Sequence, residues 1–307
     1  MNKHTFYYPS ASDCDRVHAV CWLPEGEVKA VLQIAHGMVE FIERYEDFAL
    51  YLTSRGFAVT GNDHLGHGGS SAPEDYGYFA EKDGNSVLLR DMHRLTQLTK
   101  EKYPGVPYFL LGHSMGSFYA RQYLFTWGKE LDGAIVMGTG HQPKMLVLAG
   151  MAVTRVLALF KGWKHRSAFV DGMAFGSYNK AFEPARTDKD WLTKDEKTVD
   201  RYLADPRCTF LFTLNGYYNM FKGISRLHDR KRLADMPKEL PVLFTAGADD
   251  PVGDFGKGVE KAARTFRRAG MRRVAVKLYP GDRHEILNET DRAQVYADLA
   301  DWLEALL

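Results

Sequence analysis

A chain of 307 residues with 40 lysines and arginines against 39 aspartates and glutamates carries a formal charge of +1, which gives no reason to expect nucleic acid or an acidic partner. Hydrophobic residues make up 45% and charged residues 26%, the balance of a folded globular protein. The length suits two average domains, or one large core with an insertion.

The N-terminus, Met-Asn-Lys-His-Thr-Phe-Tyr-Tyr-Pro, lacks the apolar core of a signal peptide, so export by that route is not expected and the cytoplasm is the expected location. Cys14, Cys21 and Cys208 cannot all pair, and none lies in a Cys-x-x-Cys motif. They read as free thiols in a reducing compartment, with a Cys14–Cys21 bridge across a hairpin as the weaker alternative.

Phe6-Tyr7-Tyr8 and Val17 to Trp22 read as two antiparallel edge strands. A different order then begins. Lys29 to Ala35 is a short apolar run, a buried strand ending at His36-Gly37. Ile42, Tyr45, Ala49 and Leu52 recur at spacings of three and four, the mark of a helix with one apolar face, and Gly56 ends it. Phe57 to Thr60 is the next strand and runs into Asn62-Asp63-His64. Leu88, Met92, Leu95 and Leu98 mark a second helix, stopped before Pro104. Tyr108 to Leu111 is a strand, Ser114 to Phe125 a helix and Gly133 to Met137 a strand. Such alternation predicts a mostly parallel sheet covered by helices on both faces.

From His141 to Asp235 the order breaks. This stretch reads as helical or irregular, with no strand, and is dense in methionine and aromatic residues. Within it, Met145 to Phe160 is apolar except at Thr154 and Arg155, too short for the roughly 18–20 residues of a bilayer span. Lys161, Trp163, Lys164, His165 and Arg166 follow, a flank suited to an interfacial segment that makes transient contact with a membrane surface; an ordinary buried helix is the competing reading. Alternation resumes with Val242 to Ala246, a helix near Lys257 to Ala269, the strand Arg273 to Tyr279, and a last helix bearing Tyr296, Leu299, Leu303 and Leu306. The expected organisation is one α/β core, residues 1–140 and 236–307, interrupted by a helical cap at 141–235.

Gly112-His113-Ser114-Met115-Gly116 lies between an expected strand and an expected helix. A serine there sits on a sharp turn, and flanking glycines remove the Cβ atoms that would clash in it. Its hydroxyl would project at the C-terminal rim of the sheet beside a helix N-terminus. The competing reading is a serine that merely caps a helix.

The chain resembles the α/β-hydrolase fold, and within it the monoglyceride lipase and lysophospholipase group, related to serine aminopeptidases. The resemblance is carried by His36-Gly37-Met38-Val39-Glu40, Asp63-His64-Leu65-Gly66-His67-Gly68, Gly112-His113-Ser114-Met115-Gly116, Gly247-Ala248-Asp249-Asp250-Pro251-Val252 and His284-Glu285, in the family's order. The fold this implies is a mostly parallel, eight-stranded sheet with helices on both faces and a helical cap.

A serine hydroxyl needs a base. His284 lies in a loop between the last strand and the last helix, on the same rim as Ser114; His36, His64, His67 and His113 compete, although the side chain of His113 should point away. The base needs an acid to orient it. Asp249 and Asp250 both follow a strand, and the resemblance implies Asp250, giving the chain order Ser114, Asp250, His284. The Met115 N–H is one expected donor to an oxyanion, and the resemblance puts the second at Met38. Glu40 reads as a brace for that loop. Asp63 to Gly68 invites a metal or phosphate reading, but its spacing suits a structural loop better, so no metal and no cofactor is expected.

A cap rich in methionine and aromatics offers an adaptable apolar wall, and the substrate-binding residues are expected within 141–235. The resulting expectation is a serine hydrolase acting on a monoacylglycerol or similar single-chain acyl ester. A lysophospholipase or thioesterase would use the same residues. An aminopeptidase would need a cap carboxylate, with Glu183, Asp188 and Asp190 available, and a non-catalytic binding protein on the same scaffold is the remaining alternative.

Overall fold

The computed structural model describes residues 2–12 and 16–307. Its sheet is built from apolar runs with no room for solvent. β3 (Ala30–Ala35), β4 (Phe57–Asn62), β5 (Tyr108–His113), β6 (Gly133–Met137) and β7 (Val242–Gly247) are buried along their whole length, as strands covered on both faces must be. β1 (Asn2–Pro9) and β8 (Val274–Tyr279) close the two edges and are largely exposed or half-buried. Between β1 and β4 lies β2 (Arg16–Leu23). The eight strands run in the order β1-β2-β4-β3-β5-β6-β7-β8. β1 with β2 and β2 with β4 are antiparallel, and all later pairs are parallel. Val17 to Trp22 is thus an interior strand and not an edge: it is clamped between its hairpin partner and β4, with Ala19 opposite Asn62.

The core helices cover both faces. α1 (Glu46–Ser54) supplies Phe48 and Leu52 to one apolar cluster. α2 (Gly84–Lys102) and α3 (Met115–Trp127) supply Leu88, Met92, Tyr119 and Tyr123 to the other. Between β6 and β7 come α4 (Lys144–Lys161), α5 (Ala168–Phe175), α6 (Glu196–Ala204), α7 (Leu214–Arg226) and α8 (Arg230–Ala234). Among the described residues no strand interrupts them; Arg166 and Thr213 form one isolated bridge. α9 (Lys257–Arg268) and α10 (Arg292–Glu304) then flank β8, adding Phe266 to the second cluster and Leu299 and Leu303 to the first.

α4 is not the buried helix that its composition allowed. Only Val147, Thr154 and Ala158 are buried, where it packs on α7. Leu159 and Phe160 are 78% and 82% exposed, and Met145 and Leu146 also face outward. Among the described residues no helix is long and apolar enough to cross a membrane.

Cys21 and Cys208 are buried free thiols, and burial pushes them up to about 11 and about 12, which leaves them poor nucleophiles. Cys14, and with it the alternative Cys14–Cys21 bridge, lies outside the described residues.

Candidate active site

β5 passes into α3 through one residue, Ser114, whose φ of 52° and ψ of −116° lie outside the regions open to ordinary L-residues. The turn is held by a 3.0 Å hydrogen bond from Ser114 N–H to the Met137 carbonyl, and by the Ser117 N–H donating to the Ser114 carbonyl at 3.0 Å. Its close packing explains the flanking glycines. A Cβ on Gly112 would fall 2.4 Å from the Gly116 carbonyl oxygen, and one on Gly116 would fall 2.0 Å from that of Ala35. Holding a residue in such a conformation costs on the order of 1–3 kcal/mol, so the surroundings must over-determine it.

His284 leaves β8 in a loop that returns to the same rim. Its Nδ1 lies 3.0 Å from each carboxylate oxygen of Asp250, with the two side chains 2% and 0% exposed. Asp250 Oδ1 also accepts the Val252 N–H at 2.9 Å, which fixes the carboxylate in the loop after β7. Asp249 is exposed, so of the two adjacent aspartates Asp250 faces the imidazole. The His284 ring stands beside Gly138, where an added Cβ would come within 3.1 Å of its Cε1. Gly138 follows the Met137 whose carbonyl accepts from the Ser114 N–H, so the Asp250–His284 pair lies beside the end of β6 that also holds the Ser114 backbone. No hydrogen bond joins Ser114 Oγ to His284 among the described residues; such contacts commonly tighten when substrate is bound.

The loop after β3 closes on Ser114 at Gly37. A Cβ on Gly37 would lie 3.1 Å from that of Ser114. Neither the Met38 N–H nor the Met115 N–H is spent on another described residue. Both are thus free for a charged oxygen, Met115 by its place as the first residue of α3.

Glu40 braces this loop through a buried network. Its carboxylate accepts the Gly37 N–H, the Tyr45 hydroxyl at 2.9 Å and His113 Nδ1 at 3.2 Å. Arg44 bridges Glu40 at 2.8 Å to Glu285 at 2.6 and 2.8 Å, and so ties the loop to the residue after His284. Burial by itself would raise the Glu40 carboxyl, but the His113 hydrogen bond and the Arg44 charge hold it well below the usual carboxylate range. Burial likewise opposes charge on His113, but Glu40 wins and raises it. Two carboxylates thus face one guanidinium and one imidazole inclined to carry charge, so the group is balanced without solvent. The Nδ1 of His113 faces Glu40 and the Tyr45 hydroxyl, and its ring packs 4.8 Å from that of His284.

The other competing histidines are not placed as bases. His36 Nε2 accepts the His64 N–H at 2.9 Å, and the rings of His64 and His67 lie 4.3 and 5.0 Å from that of His36. Burial pushes His64 well below its ordinary range and His67 down to about 3, so both stay neutral. Asp63 accepts the N–H groups of Ile42 and Gly69, each at 2.7 Å, and pairs with His18 at 2.8 Å. The stretch from Asp63 to Gly69 therefore serves as loop scaffold.

Sequence reasoning missed Arg44, Tyr45 as a hydrogen-bond donor, and Trp191, whose ring lies 5.1 Å from that of His284. Arg44 and Tyr45 sit in a helical pattern that reads as packing, and a tryptophan within an irregular insertion has no spacing to mark it.

Residues 26–291 match the family model described as serine aminopeptidase, S33. The monoglyceride lipase of Homo sapiens is 35% identical over 302 residues, spanning 96% of this chain and 89% of the human protein. The monoacylglycerol lipase of Mycolicibacterium smegmatis is 25% identical over 288 residues, 92% of this chain and 90% of that protein. Among solved structures, a highly thermostable carboxyl esterase from Bacillus coagulans in complex with glycerol matches with a TM-score of 0.92 at 28% identity, covering 100% of this chain and 99% of that one. Because the match runs from before the first parallel strand to the threshold of the last helix, and the relatives share it over nearly their full length, the chain belongs to the serine aminopeptidase S33 family of α/β-hydrolases.

Proposed function

We propose that this protein is a serine hydrolase that cleaves carboxylic esters of single-chain lipids, monoacylglycerols foremost, through an acyl-enzyme on Ser114. The observation that carries this reading is the convergence of a strained serine, a buried Asp250–His284 pair and two unspent backbone N–H groups at one rim of the sheet. The relatives named for monoacylglycerol hydrolysis span most of the chain and support the choice of ester.

In this reading Ser114 Oγ bonds to the ester carbonyl carbon while its proton passes to His284 Nε2. The carbonyl oxygen takes up the charge and receives hydrogen bonds from Met38 N–H and Met115 N–H. The carbon–oxygen bond to the glycerol then breaks, and the leaving oxygen takes the proton from His284. Water next gives a proton to His284 as its oxygen bonds to the acyl carbon, and Ser114 recovers the proton as the fatty acid departs. Asp250 stays ionised, holding the imidazole tautomer and offsetting its charge.

Residues 1–140 and 236–307 form the catalytic core in this proposal, and 141–235 the cap. Trp191, whose ring lies 5.1 Å from that of His284, and Tyr178, packed on Trp191, support the cap's position over the site. We assign the outward apolar side of α4 to transient contact with lipid surfaces: Met145, Leu146, Leu159 and Phe160 are exposed together, with Lys161 and Lys164 beside them. A double substitution, Leu159→Glu with Phe160→Glu, is expected to reduce co-flotation with anionic vesicles several-fold while sparing hydrolysis of a short soluble ester. Unchanged flotation would remove the surface role. The unpaired buried thiols of Cys21 and Cys208 fit a reducing compartment, for which we propose the cytoplasm.

The deciding experiment compares initial rates on a monoacylglycerol, lysophosphatidylcholine, an acyl-CoA and an aminoacyl anilide. The monoacylglycerol is expected to be fastest by at least about tenfold; the first three substrates share a fatty acyl group and differ in the leaving group, whereas the anilide replaces the fatty acyl with an aminoacyl group. Fastest turnover of the anilide would replace this reading with an aminopeptidase; fastest turnover of the lysophospholipid or thioester would move the leaving group while keeping the chemistry.

A further inference from the structure

The loop bearing His284 is not held by the core alone. Three consecutive residues, Arg283, His284 and Glu285, donate to the carbonyls of three consecutive residues between α5 and α6. The Arg283 guanidinium reaches Asp190 O, the His284 N–H reaches Trp191 O at 3.4 Å, and the Glu285 N–H reaches Leu192 O at 2.7 Å. The stitching continues from Thr193 hydroxyl to Asn288 O at 3.1 Å, and from Lys194 to Asp282 at 2.8 Å. Segment 190–194 thus lies along the catalytic loop as a strap, and Trp191 is its residue at the imidazole.

The Trp191 and His284 rings lie 5.1 Å apart at 41°. Trp191 is itself fixed, with the Tyr178 ring at 5.1 Å and its backbone N–H donating to Asn179 Oδ1 at 3.0 Å. An indole within about 6 Å of a cation attracts it through the ring's negative face. During turnover His284 becomes a cation when it takes the proton from Ser114 or from water. Any such attraction is therefore strongest near the transition states of both half-reactions.

We propose that Trp191 is a positioning residue for His284: its ring, held by the strap, keeps the imidazole turned to Asp250 and stabilises the imidazolium that forms during catalysis. This rests on His284 being the base of the proposed function and extends that reading into the insertion. The other charged or titratable groups facing the imidazole or its loop are Asp250, His113 and the Glu40–Arg44–Glu285 chain. To these are added Arg283, the Asp282–Lys194 pair, Glu289, and Tyr178 behind Trp191. Of these, Tyr178 packs on the Trp191 ring itself, whereas Asp250, His113 and the Glu40–Arg44–Glu285 chain are held by partners other than Trp191.

The test measures kcat and KM against pH on a short nitrophenyl ester, which does not need the apolar wall, for wild type, Trp191→Leu and Trp191→Phe. Trp191→Leu is expected to lower kcat about tenfold with KM within about twofold, and to move the acidic limb of kcat down by about half a pH unit or more, because the protonated ring loses its partner. Trp191→Phe is expected to restore most of both. A limb that stays in place, or a change confined to KM, would overturn the proposal and leave Trp191 as packing. Should Trp191→Leu fail to fold, Trp191→Met, of similar reach but without a ring, makes the same comparison. Wild type is the control for the underlying reading: an absent acidic limb there, with no labelling by a fluorophosphonate, removes His284 as base, whereas a normal wild type beside an unshifted variant removes Trp191 alone.

Discussion

Ser114→Ala is expected to lower kcat on any good ester by about 10⁴- to 10⁶-fold while leaving the thermal midpoint of unfolding almost unchanged. The catalytic loss follows from the proposed covalent step, for which alanine has no oxygen. The structural tolerance follows from the hydroxyl's surroundings. Ser114 is held by its backbone, through its N–H on Met137 O and its carbonyl on Ser117, and no hydrogen bond to its Oγ is formed among the described residues. Alanine keeps those backbone contacts and meets the same positive φ, so the strain is the same in both proteins. Ester turnover, fluorophosphonate labelling and a melting curve on one preparation check this. A folded variant that still labels or turns over at near the wild-type rate would exclude Ser114 as nucleophile.

The second large effect belongs to Asp250. Asp250→Asn is expected to cut kcat by about 10⁴-fold with little change in KM. At 25 °C that corresponds to about 5.5 kcal/mol of transition-state stabilisation. An amide cannot offset the imidazolium, and its NH₂ group set against Nδ1 favours the tautomer with the wrong nitrogen protonated. The substitution also weakens the acceptor for the Val252 N–H, at a cost to folding of about 1–3 kcal/mol if the amide turns its donor that way. Asp249→Asn is the control, because that side chain is exposed and the distances place Asp250 at His284. Steady-state kinetics on the two variants separate adjacent residues of the same type. Activity lost in Asp249→Asn and kept in Asp250→Asn would reverse the assignment.

These expectations draw on two kinds of information. The order of strands and helices was legible in the residues because each core strand is a short apolar run and each core helix repeats its apolar residues every three or four positions. The serine elbow was legible for a similar reason: glycines at 112 and 116 answer to steric contacts that any such turn imposes. Asp249 and Asp250 were left together by the pattern alone and separated by resemblance to a family. Burial then distinguished them physically, since one faces solvent and the other the imidazole.

What the sequence by itself determined is therefore the local grammar of the chain: an alternating α/β core, the turn that presents Ser114, and an insertion of different composition. Only the tertiary structure decided that α4 turns apolar residues outward, that Val17 to Trp22 is an interior strand, that Arg44 joins Glu40 to Glu285, and that Trp191 stands against His284. The physical reason is range. Periodicity and turn chemistry act between neighbours a few residues apart, whereas Arg44 and Glu285 are separated by 241 positions and meet only because the sheet brings their loops to one rim.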